Sequence, residues 1–186
     1  VVLPPVDPDV FALYTGARSG YLTVSRLVPY KRIDRIIEAF RDLPSLTLTV
    51  VGDGPDAERL RSLAGPNVRF TGHIAQSGLV ALLQRSSALV CAANEDLGLT
   101  VIEAQTCGTP VIALRTGGYL ETVDEANGSG FFEADEPNAI REAVLLHEQR
   151  TTEPRAERLR EDMAPYFRDR FRARIRAIIQ GSMDHD

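Results

Sequence analysis

Two glutamates, Glu95 and Glu103, bracket a glycine and a short apolar run in the stretch NEDLGLTVIEAQTCGTPVIALRTGG, residues 94–118. A helix beginning near Leu99 or Thr100 admits two explanations. In the first, Thr100 and Glu103 form a T-x-x-E capping box, which accounts for Glu103 structurally. That leaves Glu95 unexplained, and also Gly98, where only a residue without a side chain lets another backbone pass closely. In the second, the free N–H groups of Gly98, Leu99 and Thr100 meet phosphate or sugar oxygens at the helix N-terminus. Glu103, one turn in, then accepts hydrogen bonds from ribose hydroxyls. Glu95, ahead of the helix, reaches the sugar end of the same ligand.

Four further sets of residues could join that chemistry. In SRLVPYKR, Arg26 and Lys31 offer a forked and a point-like cation between a strand and a helix, which suits a diphosphate. Solvated surface charges are the plain alternative. In VVGDGP, Gly52 and Gly54 make a tight connection into the next helix with or without a ligand. In FTGHI, His73 and Ile74 follow a strand and a glycine, so their backbone groups could contact a ligand base. A loop histidine with no chemical role fits equally. RTGGYLE repeats the theme, with Gly117 and Gly118 opening a helix and Glu121 on its first turn, and a plain glycine loop fits it equally.

The elements that must position these residues are legible as a pattern. Short apolar runs (YLTVSRL, LTLTVVG, NVRFTG, ALVCAA, PVIAL, SGFFEA) alternate with helical segments such as IDRIIEAFRDL, which carries Ile33, Ile36, Ile37 and Phe40 on one face. Six such alternations predict an α/β fold, a Rossmann-like three-layer α/β/α arrangement around a parallel sheet. Ligands of such sheets bind at the carboxyl ends of the strands, where the strand order reverses. Every motif above falls just after a strand.

Residues 1–19, with Pro4, Pro5 and Pro8, read as an extended connector, and residues 20–186 as the domain. The charged tail is expected to be helical and interrupted at Pro165. Phe167, Phe171, Ile175, Ile178 and Ile179 form an apolar stripe there, with Arg168, Arg172, Arg174 and Arg176 opposite. The stripe is expected to pack on its own domain or on a neighbouring chain.

Composition narrows the function classes. A chain of 186 residues with 44% hydrophobic and 25% charged residues has the material for one ordinary domain. A net charge of -5 argues against a nucleic-acid partner. Cys91 and Cys107 sit in apolar runs, which predicts buried free thiols and a reducing, cytoplasmic setting. No apolar run approaches the roughly 20 residues of a membrane span. The start VVLPPVDPDV has neither an initiator Met nor signal-peptide character, so a longer chain is expected upstream.

The block E-D-L-G-L-T-V-I-E-A-Q-T-C-G-T-P-V-I-A-L-R-T-G-G resembles the E-x7-E signature of the retaining glycosyltransferases of family 4, which have the GT-B fold. VSRLVPYKRIDRIIEAF, VVGDGP and VRFTGHI resemble other segments of that family, in the same order. PPVDPDVF is similar to the connector leading out of its N-terminal domain. RLVPYKRID resembles the bacterial mannosyltransferases of O-antigen and exopolysaccharide synthesis, which use GDP-mannose.

The resemblance implies that this chain is the C-terminal, donor-binding half of a GT-B enzyme, with its last helix crossing back to the other half. By the family pattern, Arg26 and Lys31 hold the donor diphosphate in place of a metal, and no cofactor is needed. Glu103 binds ribose and Glu95 faces the donor sugar, so that Glu95, Arg26 and Lys31 form the catalytic set. Gly98, Leu99 and Thr100 contact donor through the backbone, Gly52 and Gly54 border it, and His73 and Ile74 lie near the base. Leu97 departs from the aromatic residue common at that place.

The implied partners are a nucleotide sugar, the missing N-terminal domain and a glycan or lipid-linked acceptor. The missing domain is also the expected route to the inner face of a membrane. Transfer by this half alone is not expected. Two rivals remain at this stage: a UDP-sugar 2-epimerase-like half and a non-catalytic nucleotide-binding α/β module. A receiver would place acids after the first strand, where Arg26 stands, and a dehydrogenase would need GxGxxG there.

Overall fold

The computed structural model describes residues 4–150 and 156–183. Six strands form one parallel sheet: β1 (Tyr21–Val24), β2 (Leu48–Val51), β3 (Val68–Gly72), β4 (Ala88–Cys91), β5 (Val111–Leu114) and β6 (Gly130–Phe132). Their spatial order is β3-β2-β1-β4-β5-β6, the doubly wound Rossmann order. The chain winds outward from β1 to β3, then crosses to β4 and winds the other way. Hence β1 and β4 are neighbours, with Leu22 opposite Leu89, and the order reverses between them.

The strands are apolar on both faces, and alternate residues feed two separate cores. Tyr21, Val50, Val90 and Ile112 pack on one side with helices α1 (Ile33–Arg41), α2 (Ala57–Leu63) and α6 (Pro137–Glu148). Leu22, Val51, Leu89 and Val111 pack on the other with α3 (Gln76–Arg85), α4 (Leu99–Thr106) and α5 (Tyr119–Thr122). This is what a period of two does when both faces of a parallel sheet are covered. The expected stripe on α1 is fully buried at Ile33, Ile36, Ile37 and Phe40.

The opening segment departs from a free connector. Val6 and Phe11 are buried in the second core. Val6 donates to the Tyr166 carbonyl and accepts from the Arg168 N–H, at 2.9 and 3.1 Å. Arg160, on α7 (Ala156–Asp162), donates to the carbonyls of Pro8, Phe11 and Thr106, each at 2.9 Å. Two apolar residues among the prolines and one half-buried arginine are enough to dock the segment.

The tail breaks at Pro165 as expected, in a 3-10 turn over Ala164–Tyr166, and resumes as α8 (Arg168–Met183). The stripe meets the second core at its start. Phe167 packs against the second core, whereas Ile178 and Ile179 are 53% and 54% exposed. Among the described residues, no helix is long and apolar enough to cross a membrane. Both cysteines are free thiols; Cys107 is buried, and Cys91 is half-buried rather than buried because it ends β4 at the sheet's open edge.

Candidate functional site

A cleft of about 1060 Å³ lies over the carboxyl ends of β1 and β4, where the strand order reverses. Arg26, Lys31, Glu95, Gly98, Leu99 and Thr100 all line it. A smaller cavity of about 640 Å³ lies at the opposite, amino-terminal end of the sheet, beside Tyr14, Ser87 and His147. The first gathers two cations with Glu95 at the start of α4; the second holds Arg18 with Glu148 and Glu157, and that guanidinium is already bonded to the Tyr14, Gln84 and Cys107 carbonyls.

The Arg26 loop is held by backbone. Ser25 N–H donates to Val51, and Leu27 N–H to Asp53, at 3.0 and 2.9 Å. Arg26 lies between these anchors and is exposed; its carbonyl accepts from the Val28 N–H and the Ser25 hydroxyl at 3.0 and 3.1 Å, while its guanidinium makes no hydrogen bond or ion pair among the described residues. Gly52 and Gly54 do not line the cleft. They allow this loop to come close: a Cβ at Gly52 would lie 1.8 Å from the Ser25 carbonyl oxygen, and one at Gly54 2.3 Å from that of Leu27. Gly52 also has φ +127°, which disfavours any side chain. Gly52→Ala is therefore expected to cost about 2–4 kcal/mol and to displace Arg26. A thermal melt unchanged within 1 °C would contradict this.

Lys31 lies in a 3-10 turn, Pro29–Lys31, just before α1. Its ammonium is bonded to the Glu95 carboxylate. It also lies 5.0 Å from the centre of the Tyr30 ring, a cation–π distance. The side chains of Lys31 and Glu95 are 17% and 26% exposed, so the pair is half inside the cleft wall. Arg32, next in the chain, takes the left-handed conformation at φ +56° and pairs with Asp135 at 2.6 Å.

Gly98 caps α4 with φ +70°. A Cβ there would lie 2.8 Å from the Tyr119 ring. The helix therefore starts at Leu99, which puts Thr100 in the second helical position and Glu103 in the fifth. No capping box forms and no side chain caps the helix. The N–H groups of Val101 and Ile102 turn back to the Gly98 carbonyl. Those of Gly98, Leu99 and Thr100 donate to no backbone carbonyl among the described residues, and the three residues line the cleft.

Glu103 stands one turn behind Leu99 on the same face, and helical side chains lean toward the N-terminus. It is half-buried, its carboxyl group has no hydrogen-bond partner among the described residues, and burial pushes that group up to about 7. Glu103, expected at the donor ribose, is not among the residues that line the cleft.

The turn after β5 locks the Glu95 loop. Gly118 N–H donates to the Glu95 carbonyl at 2.7 Å. A Cβ at Gly117 would lie 2.4 Å from that same oxygen, so the close approach needs glycine. Tyr119 is buried beneath Gly98 and hydrogen-bonds Cys91; burial pushes the pKa of both up, that of Cys91 to about 12. The cleft floor is thus uncharged.

The base-side residues are not gathered here. His73 is exposed and Ile74 packs in the second core; neither lines the cleft. Sequence reasoning assigned no role to Tyr30 or Tyr119. An aromatic next to Lys31 was a signal for the first. The second carries none, because its contacts are to Gly98 and Cys91, distant in sequence.

A doubly wound parallel sheet with a cation-bearing cleft over its reversal point is a Rossmann-like architecture that binds ligands at that point. The chain belongs to the family described as glycosyl transferases group 1, which matches residues 18–168. It is 33% identical over 172 residues to a GDP-mannose-dependent alpha-(1-6)-phosphatidylinositol monomannoside mannosyltransferase of Mycolicibacterium smegmatis, covering 76% of this chain and 45% of the relative. A Corynebacterium glutamicum mannosyltransferase acting on the monoacylated form is 36% identical over 119 residues, 56% of this chain and 31% of its own. The chain thus spans less than half the length of these curated relatives.

Among solved structures, sucrose-phosphate synthase from Thermosynechococcus elongatus superposes with a TM-score of 0.85 at 21% identity, over 100% of this chain and 53% of that one. HepE of Anabaena in complex with UDP and glucose gives 0.82 at 20% identity, over 97% and 56%.

Proposed function

We propose that this chain is the donor-binding half of a retaining glycosyltransferase of family 4, and that its donor is GDP-mannose. The carrying observation is the meeting of Arg26, Lys31, Glu95 and the free N–H groups of Gly98–Thr100 in one cleft. The names of the two mannosyltransferase relatives support the choice of donor. In this reading Arg26, Lys31 and the α4 N-terminus neutralise the diphosphate. Charge grows on the bridging oxygen as the sugar bond breaks, and preorganised cations lower that barrier without a divalent metal. Glu95 takes the sugar hydroxyls. The acceptor, a glycan or lipid-linked sugar, attacks from the face the diphosphate leaves.

Glu103 is assigned to the ribose hydroxyls, which donate best to a carboxylate. Its raised folded value means that the folded state holds its proton longer than the unfolded chain. Stability therefore falls as pH rises from the usual carboxylate range to about 7, and the full penalty applies above that. Ribose donors favour the charged form, so donor binding should strengthen as pH rises through about 7 and should release a proton below it. Calorimetry of GDP in buffers of differing ionisation heat reads that proton. Glu103→Gln should abolish the proton release, weaken GDP binding and leave the melting temperature at neutral pH equal or higher. A lower melting temperature with unchanged GDP affinity would make Glu103 purely structural.

A further inference from the structure

Lys31 and Glu95 lie 64 positions apart, on the loops after β1 and β4, and their bond bridges the reversal point of the sheet. Arg26, on the same wall, has no such partner. The two cations therefore meet an incoming diphosphate on different terms. Arg26 contributes its charge outright. Lys31 must be withdrawn from Glu95, or shared with it.

We infer that the Lys31–Glu95 pair is a switch that makes the cleft hold the nucleotide sugar and let go of the bare nucleoside diphosphate; this rests on the donor reading above. A diphosphate that recruits Lys31 leaves Glu95 as a half-buried carboxylate deprived of its cation, which is costly. The hydroxyls of a donor sugar supply new hydrogen-bond donors to that carboxylate and offset the loss. The product of transfer has no sugar and supplies none. Glu95 then takes Lys31 back and the product is displaced. Tyr30, beside the ammonium at 5.0 Å, keeps Lys31 within reach of both partners.

The switch is tested by calorimetry of GDP and GDP-mannose, with UDP and UDP-glucose in parallel. The proteins are the wild-type chain, Glu95→Gln, Lys31→Ala and the double variant. Glu121→Gln, which removes a second carboxylate from the same cleft, measures the general effect of one lost negative charge. Glu95→Gln should bind the nucleoside diphosphate about tenfold more tightly, the worth of one charge-assisted hydrogen bond, and the nucleotide sugar no more tightly. The gain should vanish when Lys31 is also alanine. Glu121→Gln should change either affinity by less than roughly threefold.

A Glu95→Gln gain that survives the loss of Lys31, or that only equals the Glu121→Gln effect, would overturn the switch. So would the absence of any gain while the wild-type chain binds the nucleotides. If no folded variant binds any of the four ligands, the donor reading fails and the switch fails with it.

Discussion

Replacing Arg26 with alanine will weaken binding of the nucleoside diphosphate by roughly 1.5–3 kcal/mol, about 10- to 150-fold, and leave the nucleoside almost untouched. The guanidinium is exposed and anchored only through its backbone, so its removal disturbs no packing. Lys31→Ala should also weaken the diphosphate selectively, but by less, because the variant no longer has to break the bond to Glu95. That ordering, Arg26 above Lys31, follows from the pair and not from the charges alone. Titration of GDP and guanosine against both variants decides it. Equal losses for the two ligands would mean that the cations do not touch phosphate.

The second large effect concerns turnover. The 186-residue chain should bind donor and transfer no sugar. Among its described residues Arg26, Lys31, Glu95 and the start of α4 line one cleft at one end of one sheet. Holding an acceptor at attack distance can be worth roughly 7–11 kcal/mol of the barrier, and that takes a second wall. The relatives it matches are more than twice as long as the matched part of each. Assay of this chain with GDP-mannose and a pool of glycan and lipid-linked acceptors should give slow donor hydrolysis at most. Robust transfer would overturn the two-half reading.

How far the sequence foretold this follows the range of each interaction. The α1 stripe, the six alternations and the glycine turns are local, so their periodicity showed directly. The placing of Arg26, Lys31, Glu95 and the 98–100 backbone in one cleft followed from the rule that ligands gather where strand order reverses. The capping box was a local inference that failed for a tertiary reason. Packing of Gly98 on the Tyr119 ring starts the helix at Leu99, which moves Thr100 inside it.

The Lys31–Glu95 bond was illegible because it joins two loops 64 residues apart. The docking of Val6 and Phe11 was illegible for the same reason, since Arg160 and the 164–166 turn supply the partners from the far end of the chain. The roles of Gly52 and Gly54 were ambiguous in the sequence between ligand and backbone. Their Cβ positions fall on the Arg26 loop, so what they position is the cation.

The central claim is that the cleft over β1 and β4 holds a nucleoside diphosphate sugar against the start of α4. Its most direct test is a crystal structure of the chain grown with GDP-mannose. The expected result places the two phosphates within hydrogen-bond distance of Arg26, Lys31 and the N–H groups of Gly98–Thr100, with a ribose hydroxyl at Glu103. A nucleotide bound in the opposite cavity beside Tyr14 and His147, or one in the cleft with its phosphates turned away from Arg26 and α4, would contradict it.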